Sequence, residues 1–359
     1  MIPSLIEKRH ILITCGTGGV GKTTLSAAIA LRAAIAGKKA LVITMDPAKR
    51  LATSLGIRGL GHTPEDLTPL LKAKSPQPVQ GTLHALMPDT RKTFEAFVQA
   101  MAPNSHTAQR VFQNPIFQIF AKEFSGTNEY MALEKLHQIT TSGEYDLIVL
   151  DTPPSRNTLA FLEAPLLLSR FFDEKIIRWL IVPTNTIMAA GMKGALGLLE
   201  KLTGANFMTH LLEFAQALFE VRSAFLKNLG EITQLLKSEQ VGFFLVASPQ
   251  TENTFEIQHF IQSIQSHEFH FDGIILNRTL GTLANPSSTL DNKELNEALE
   301  ILKALQSSEK KAIAELRQKL DSVTPDWILL PELARDVHSI EDLYYVAVDL
   351  DSHSNASRS

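Results

Sequence analysis

The sequence predicts an α/β fold, a doubly wound and mainly parallel sheet with a helical subdomain inserted, and three observations carry that prediction. Short apolar runs alternate with helical segments along the chain, as in a sheet covered on both faces. The first run, Ile11-Leu12-Ile13-Thr14, leads straight into Gly16-Thr17-Gly18-Gly19-Val20-Gly21-Lys22-Thr23-Thr24, a phosphate-binding loop of the Walker A pattern. The loop leads in turn into a helix whose Leu25, Ala28, Ile29, Ala33 and Ile35 to Ala36 form a small-residue apolar stripe, with Gly37 placed to cap it. Strand, loop and helix in that order separate this motif from a glycine-rich turn that matches by chance.

The remaining strands are expected at Ala40 to Thr44, Thr82 to Met87, Tyr145 to Leu150, Gly242 to Ala247, Gly273 to Leu276 and Trp327 to Leu330. Most are continuous apolar runs, as strands buried on both faces require. Between Gly56 and Gly81 the composition turns to Gly, Pro and Lys, which reads as an irregular surface excursion. Asp291 to Leu320 reads as a helix, with Leu295, Leu299, Leu302, Ile313, Leu316 and Leu320 at helical spacing among charges. Residues 1–350 are taken as a single domain carrying helical elements at about 91–138 and 158–240, followed by a flexible tail at 351–359. Those two helical stretches hold 13 of the 19 phenylalanines, together with Met188, Met192 and Met208. Such side chains either pack the helices onto one another or form a groove for an apolar helix or acyl chain.

Each part of the loop has a physical role. Gly16 and Gly21 let the turn close with its backbone N–H groups pointing inward, around phosphate oxygens at the N-terminus of the helix. Lys22 reaches the β- and γ-phosphates, and the Thr23 hydroxyl ligates Mg²⁺. Thr17, Gly18, Gly19, Val20 and Thr24 complete the phosphate-binding set. Asp151 ends an apolar strand in Walker B fashion and is expected to hold Mg²⁺ through water.

Composition excludes several classes. A chain of 359 residues, 44% hydrophobic and 20% charged, suffices for one large α/β core with a helical elaboration. A net charge of −4 argues against a general nucleic-acid binder. Met1 to His10 carries no signal pattern, and the longest uncharged apolar window, around Trp179 to Met192, is too short to span a bilayer. A cytoplasmic protein with no transmembrane segment is the expectation. The single cysteine, Cys15, excludes an internal disulfide and reads as a packed hydrophobe rather than a redox sensor. The eleven histidines show no pair at ligand spacing with a suitable carboxylate, so no transition metal is expected.

Three segments together carry a family resemblance. They are the loop with its extra glycine pair, of the deviant Walker A class, then Met45-Asp46-Pro47-Ala48-Lys49-Arg50-Leu51, then Asp151-Thr152-Pro153-Pro154-Ser155-Arg156. With them the chain resembles the arsenite-pump and tail-anchored-protein-targeting ATPases, a P-loop NTPase family, and within it the bacterial single-loop anion-transporting ATPases. The likeness extends in patches from Ile11 to about Val346. It implies ATP and Mg²⁺ as cofactors. Asp46 matches switch I and would orient the attacking water and hold the metal through water; its other reading is an N-cap for a helix starting at Pro47. Thr152-Pro153-Pro154 would be switch II. Arg50, Lys49 and Arg156 are each either a phosphate-facing cation or a solvated charge. Asn277 matches the position at which the family reads adenine, although a strand-ending asparagine is also an ordinary turn former. Pro331 to Val337 matches the adenine-flanking loop.

The chain also departs from its relatives. Iron–sulfur and zinc-clasped members need cysteine clusters that are absent here, and the arsenite pump carries two phosphate loops in one chain. Anion transport is therefore not to be taken literally. The signature lysine that reaches across the dimer is replaced by Thr17. The resemblance implies a homodimer, or a heterodimer with a paralogue, that ATP closes and hydrolysis reopens to move a hydrophobic helix or lipid-like client. The alternative is a weakly hydrolysing nucleotide-binding regulatory subunit of a heteromeric assembly. A partitioning ATPase is disfavoured by the acidic stretch from Ser339 to Asp351.

Overall fold

Runs of Ile, Leu, Val and Phe without alternation can be buried only where both faces of a sheet are covered, and that is where this chain places them. A computed structural model describes every residue except 1, 17, 46–49, 58, 119–126, 153–157, 172–206, 250–253, 282–292, 321–325, 334–335 and 355–359. The strands are β1 (Ile11–Cys15), β2 (Lys39–Thr44), β3 (Glu65–Asp66), β4 (Thr82–Leu86), β5 (Leu147–Asp151), β6 (Val241–Ala247), β7 (Phe271–Thr279) and β8 (Asp326–Pro331). They form one sheet in the order β3-β4-β2-β5-β1-β6-β7-β8. All neighbours pair in parallel except β3, which runs antiparallel to β4. Every residue of β1, β5 and β6 is buried. The fold is the expected doubly wound α/β sheet. The excursion after Gly56 also contributes β3, too short and too polar to be read as a strand.

The main helices are α1 (Ile2–Lys8), α2 (Lys22–Ile35), α3 (Arg50–Leu55), α4 (Thr68–Lys74), α5 (Thr90–Met101), α6 (Ser105–Gln113), α7 (Thr127–Ser142), α8 (Thr158–Phe171), α9 (Phe207–Lys237), α10 (Thr254–Ser266), α11 (Lys293–Lys319) and α12 (Ile340–Ser354). The alanines of α2 let it lie close against β2 and β5, and α12 packs over it through Leu343, Tyr344, Val346 and Ala347. Gly37 ends α2 in the left-handed region, at φ 94°, with its N–H on the Ala34 carbonyl. In α11 the expected apolar stripe is only partly covered. Ile313 is buried, whereas Leu295, Ile301, Leu302 and Leu305 are exposed. The helix is tied down instead by polar contacts, the Glu309 carboxylate accepting from Leu280 N–H and Gln306 Nε2 donating to the Gly281 carbonyl.

The chain forms two compact units, one of Met1–Met87, Ser142–Leu159 and Leu236–Ser359, the other of Pro88–Thr141 and Ala160–Leu235. The first holds the sheet. In the second the described secondary structure is helical, begun by side-chain caps: Asp89 accepts from Lys92 N–H and Asn104 from Thr107 N–H. Its core is aromatic. Phe97 meets Tyr130 and Phe225 edge-on at 5.6 and 5.3 Å, and Phe94 stacks on Phe117 at 5.1 Å. Most of the enriched phenylalanines that are described thus pack within the unit, while Leu166, Leu167 and Phe219 are exposed. Met188 and Met192 lie outside the described residues. An apolar cavity of about 30 Å³ remains between these helices, lined by Phe94, Phe97, Met101, Met131, Leu218 and Phe225 among others.

Beside that core lies a buried polar knot. Tyr130 donates its hydroxyl to Asn228 Oδ1 at 2.9 Å, and Gln138 Nε2 donates to Glu134 Oε1 at 2.9 Å. Glu134 is 3% exposed, and burial raises its carboxyl pKa above the usual carboxylate range, against weaker lowering by Gln138, His137, Asn228 and Tyr130. A pKa raised in the folded state stabilises below the unfolded value and is lost as pH climbs through the folded one. Glu134→Gln should therefore gain stability relative to the wild type as pH rises from 4 to 8. Urea unfolding of both proteins across that range checks it.

Candidate nucleotide site

The site is assembled at the C-terminal ends of three adjacent strands. Parallel pairing sets Thr14 of β1 and Thr44 of β2 level with Asp151 of β5, which lies between them. Asp151 is fully buried, and a buried carboxylate demands donors. Thr44 Oγ1 donates to its Oδ2 at 2.8 Å, and Thr23 Oγ1, from the first turn of α2, donates to the same oxygen at 2.7 Å. Thr14 Oγ1 pairs with Ser26 Oγ at 2.7 Å, and Ser26 donates to the Lys22 carbonyl at 2.8 Å. This hydroxyl chain fixes the root of α2 against the sheet.

The loop closes above this row. Gly16, at φ 148°, passes so near the Val246 carbonyl that a Cβ would collide with it. Gly21, at φ 94°, is the left-handed cap that starts α2. Lys22 is 5% exposed and donates Nζ to the Gly16 carbonyl at 2.8 Å, which holds its ammonium inside the loop. Val20 is buried, Gly18 and Gly19 face solvent, and Thr24 is 3.5 Å from Ser54 between hydroxyl oxygens. Among the described residues, Gly16, Gly18, Gly19, Val20, Gly21, Lys22, Thr23, Thr24 and Asp151 come together as one site. Asn277 joins them, its Nδ2 donating to the Val20 carbonyl at 2.9 Å. Pro331 ends β8 beside Thr279, at the same edge of the sheet. Arg50 opens α3 and is exposed. Thr17, Asp46, Lys49, Pro153, Pro154 and Arg156 lie outside the described residues.

The donor set at Thr23 and Asp151 fits a small hard cation. A hydroxyl and a carboxylate are the oxygen ligands that Mg²⁺ takes beside phosphates, and here they are already in contact at the N-terminus of α2. Among the described residues no cluster of three His, Cys, Asp or Glu side chains could hold a metal, and no helix is long and apolar enough to cross a membrane. The residues that sequence reasoning missed are Thr14, Thr44 and Ser26. The signal was available, because a threonine inside an otherwise apolar strand has to find a buried partner.

Over residues 9–350 the chain matches the family model described as anion-transporting ATPase. The chain belongs to that family. The match begins before β1 and ends in α12, so it spans the sheet and the helical unit alike, as the resemblance of the three loops implied. ATPase GET3 of Podospora anserina is 23% identical over 284 residues, covering 78% of this chain and 76% of that protein. Putative arsenical pump-driving ATPase 2 of Aquifex aeolicus is 25% identical over 310 residues, 84% of this chain and 86% of that protein. ATPase ASNA1 homolog 1 of Paramecium tetraurelia is 23% identical over 321 residues, 84% and 88%. The family is one of nucleotide-binding ATPases, and this chain is an ATPase.

Cys15 is fully buried under the loop, and burial pushes its thiol up to about 12, outweighing the nearby Lys22 charge. At neutral pH it is protonated and packed. A maleimide should leave the native protein unlabelled at pH 7.5 and label it stoichiometrically in denaturant. Mass spectrometry of the two reactions checks this.

Proposed function

We propose that this chain hydrolyses ATP with Mg²⁺ in the cytoplasm, as a homodimer or a heterodimer with a paralogue, and couples dimer closure and reopening to a hydrophobic client. The observation that carries the nucleotide half is the contact of Thr23 with Asp151 beside the loop that encloses Lys22. In this reading the loop N–H groups and Lys22 bind the phosphates, and Thr23, Asp151 and Asp46 would hold Mg²⁺, the two aspartates through water. A cation held there would neutralise charge on the phosphates. Asp46 orients the attacking water, and Asn277 and Pro331 flank adenine. Residues 1–350 act as one ATPase domain, with the elements at 91–138 and 158–240 serving the client.

Size sharpens the client half. A helix is about 10–12 Å across with its side chains, whereas the cavity among Phe94, Phe97 and Phe225 has room for only about 30 Å³. A client helix therefore requires those helices to part, which is the differential between states that ATP must select if hydrolysis is to be coupled. The absence of a lysine at Thr17 favours slow turnover by the chain alone, and with it the second reading, a weakly hydrolysing regulatory subunit. A cation supplied to a phosphoryl-transfer transition state is worth roughly 10³ to 10⁵ in rate. Arg50 and Arg156, or a lysine from a paralogous partner, are the replacements.

The test is ATP affinity and single-turnover hydrolysis in a set of variants. Lys22→Ala should weaken ATP binding about 10- to 100-fold, the loss of a charged hydrogen bond. Asp46→Asn should bind ATP nearly as the wild type does and not turn it over. Thr17→Lys should speed basal turnover, while Arg50→Ala or Arg156→Ala should slow it. Wild-type hydrolysis by Asp46→Asn, or fast turnover that survives both arginine deletions, would remove those assignments.

A further inference from the structure

The bond from Asn277 to the phosphate loop joins residues 257 apart in the sequence, and the strand is distorted to make it. β7 and β8 pair Leu276 with Leu329 and next Thr279 with Pro331, so Asn277 and Arg278 together face the single residue Leu330. That is a bulge, a device that re-aims a side chain beside a site. Arg278 takes the left-handed conformation at φ 63°, costly for a residue with a side chain. The Asn277 amide thereby rests where a Cβ of residue 21 would be, a space open only because Gly21 has none.

A carbonyl only accepts, so the Asn277 NH₂ must face Val20, which leaves its Oδ1 and second N–H for another partner. The Val20–Gly21 peptide is trans, and in a trans peptide the C=O and the following N–H point in opposite directions. Drawing the Val20 carbonyl towards Asn277 therefore turns the Gly21 N–H to the opposite side, away from β7. We propose that Asn277 is a positioning residue for the phosphate loop, holding the Val20–Gly21 peptide so that it presents its N–H to the nucleotide's phosphates. One amide then serves both ends of the ligand, with its remaining groups turned to the base. The inference rests on the nucleotide reading of the loop.

Inorganic tripolyphosphate, which has no base, separates positioning from base recognition. Calorimetry of the full chain with Mg²⁺ should show wild type binding both ATP and tripolyphosphate. Asn277→Ala should bind each about tenfold more weakly, the value of one hydrogen bond. Asn277→Leu, about the same shape without donor or charge, should do likewise, and it carries the test if the alanine variant does not fold. In steady state KM for ATP should rise by the same factor with kcat little changed, because the lost contact acts on ground and transition states alike. Either folded variant binding tripolyphosphate as tightly as wild type would overturn the proposal, whether or not ATP affinity fell. A wild type that bound neither ligand would overturn the nucleotide reading, and the positioning role with it.

Discussion

The buried Asp151 carboxylate is the point on which the site depends. It sits at the end of a central strand with no exposure to water, where a carboxylate needs donors. Both hydroxyls that donate to it reach the same oxygen, Oδ2, while Oδ1 is buried with no hydrogen bond among the described residues. The parallel register of β1, β5 and β2 supplies one donor, Thr44, from a neighbouring strand, and α2 supplies Thr23. Because Thr23 is in the first turn of α2, satisfying Asp151 also fixes where that helix begins. The loop that joins β1 to α2 then has its two ends set, and its glycines take the conformations that this short span imposes. Buried polar satisfaction, strand register and loop geometry are one constraint here.

That constraint explains why the centre of the sheet is uniform and its periphery is not. β1, β5 and β6 are buried throughout and carry the loop and the carboxylate. The outer strands carry the exceptions, an antiparallel two-residue β3 at one edge and, towards the other, β7, with a register shift against β6 and a bulge against β8. The bulge lies at Asn277, where a regular ladder is given up for a contact with Val20. The helical unit follows a different logic. Its aromatic core is packed but retains a small apolar cavity, and burial raises the pKa of its acid, Glu134.

Much of this was legible in the sequence. Apolar runs, most of them uninterrupted, located the seven parallel strands, since a both-face burial pattern leaves little ambiguity when glycines and helical stripes flank it. The place of the loop between strand and helix was legible, because Gly16 and Gly21 mark positions where its backbone approaches Val246 and Asn277 too closely for a side chain. Asp151 was visible as an acid ending an apolar strand. Thr23 was placed beside it by the loop motif, and Thr44 could be read as a buried threonine in need of a partner, but which partner depends on a register that only the folded sheet reveals. Asn277 was noticed for its place at a strand end, but its bond to Val20 depends on a bulge and on the missing side chain of Gly21. The stripe on α11 misled for the opposite reason. Periodicity reports which face is apolar, and Leu295 and Leu302 have that periodicity while remaining exposed.

The central claim, that Thr23 and Asp151 form the cation site of a magnesium-dependent ATPase, is tested most directly by titrating ATP into wild type and Asp151→Asn with Mg²⁺ and with chelator. The account predicts that Mg²⁺ tightens ATP binding to the wild type, and that the variant keeps the chelator-state affinity but loses the gain from Mg²⁺. An Asp151→Asn protein whose ATP affinity responds to Mg²⁺ as the wild type does would contradict it.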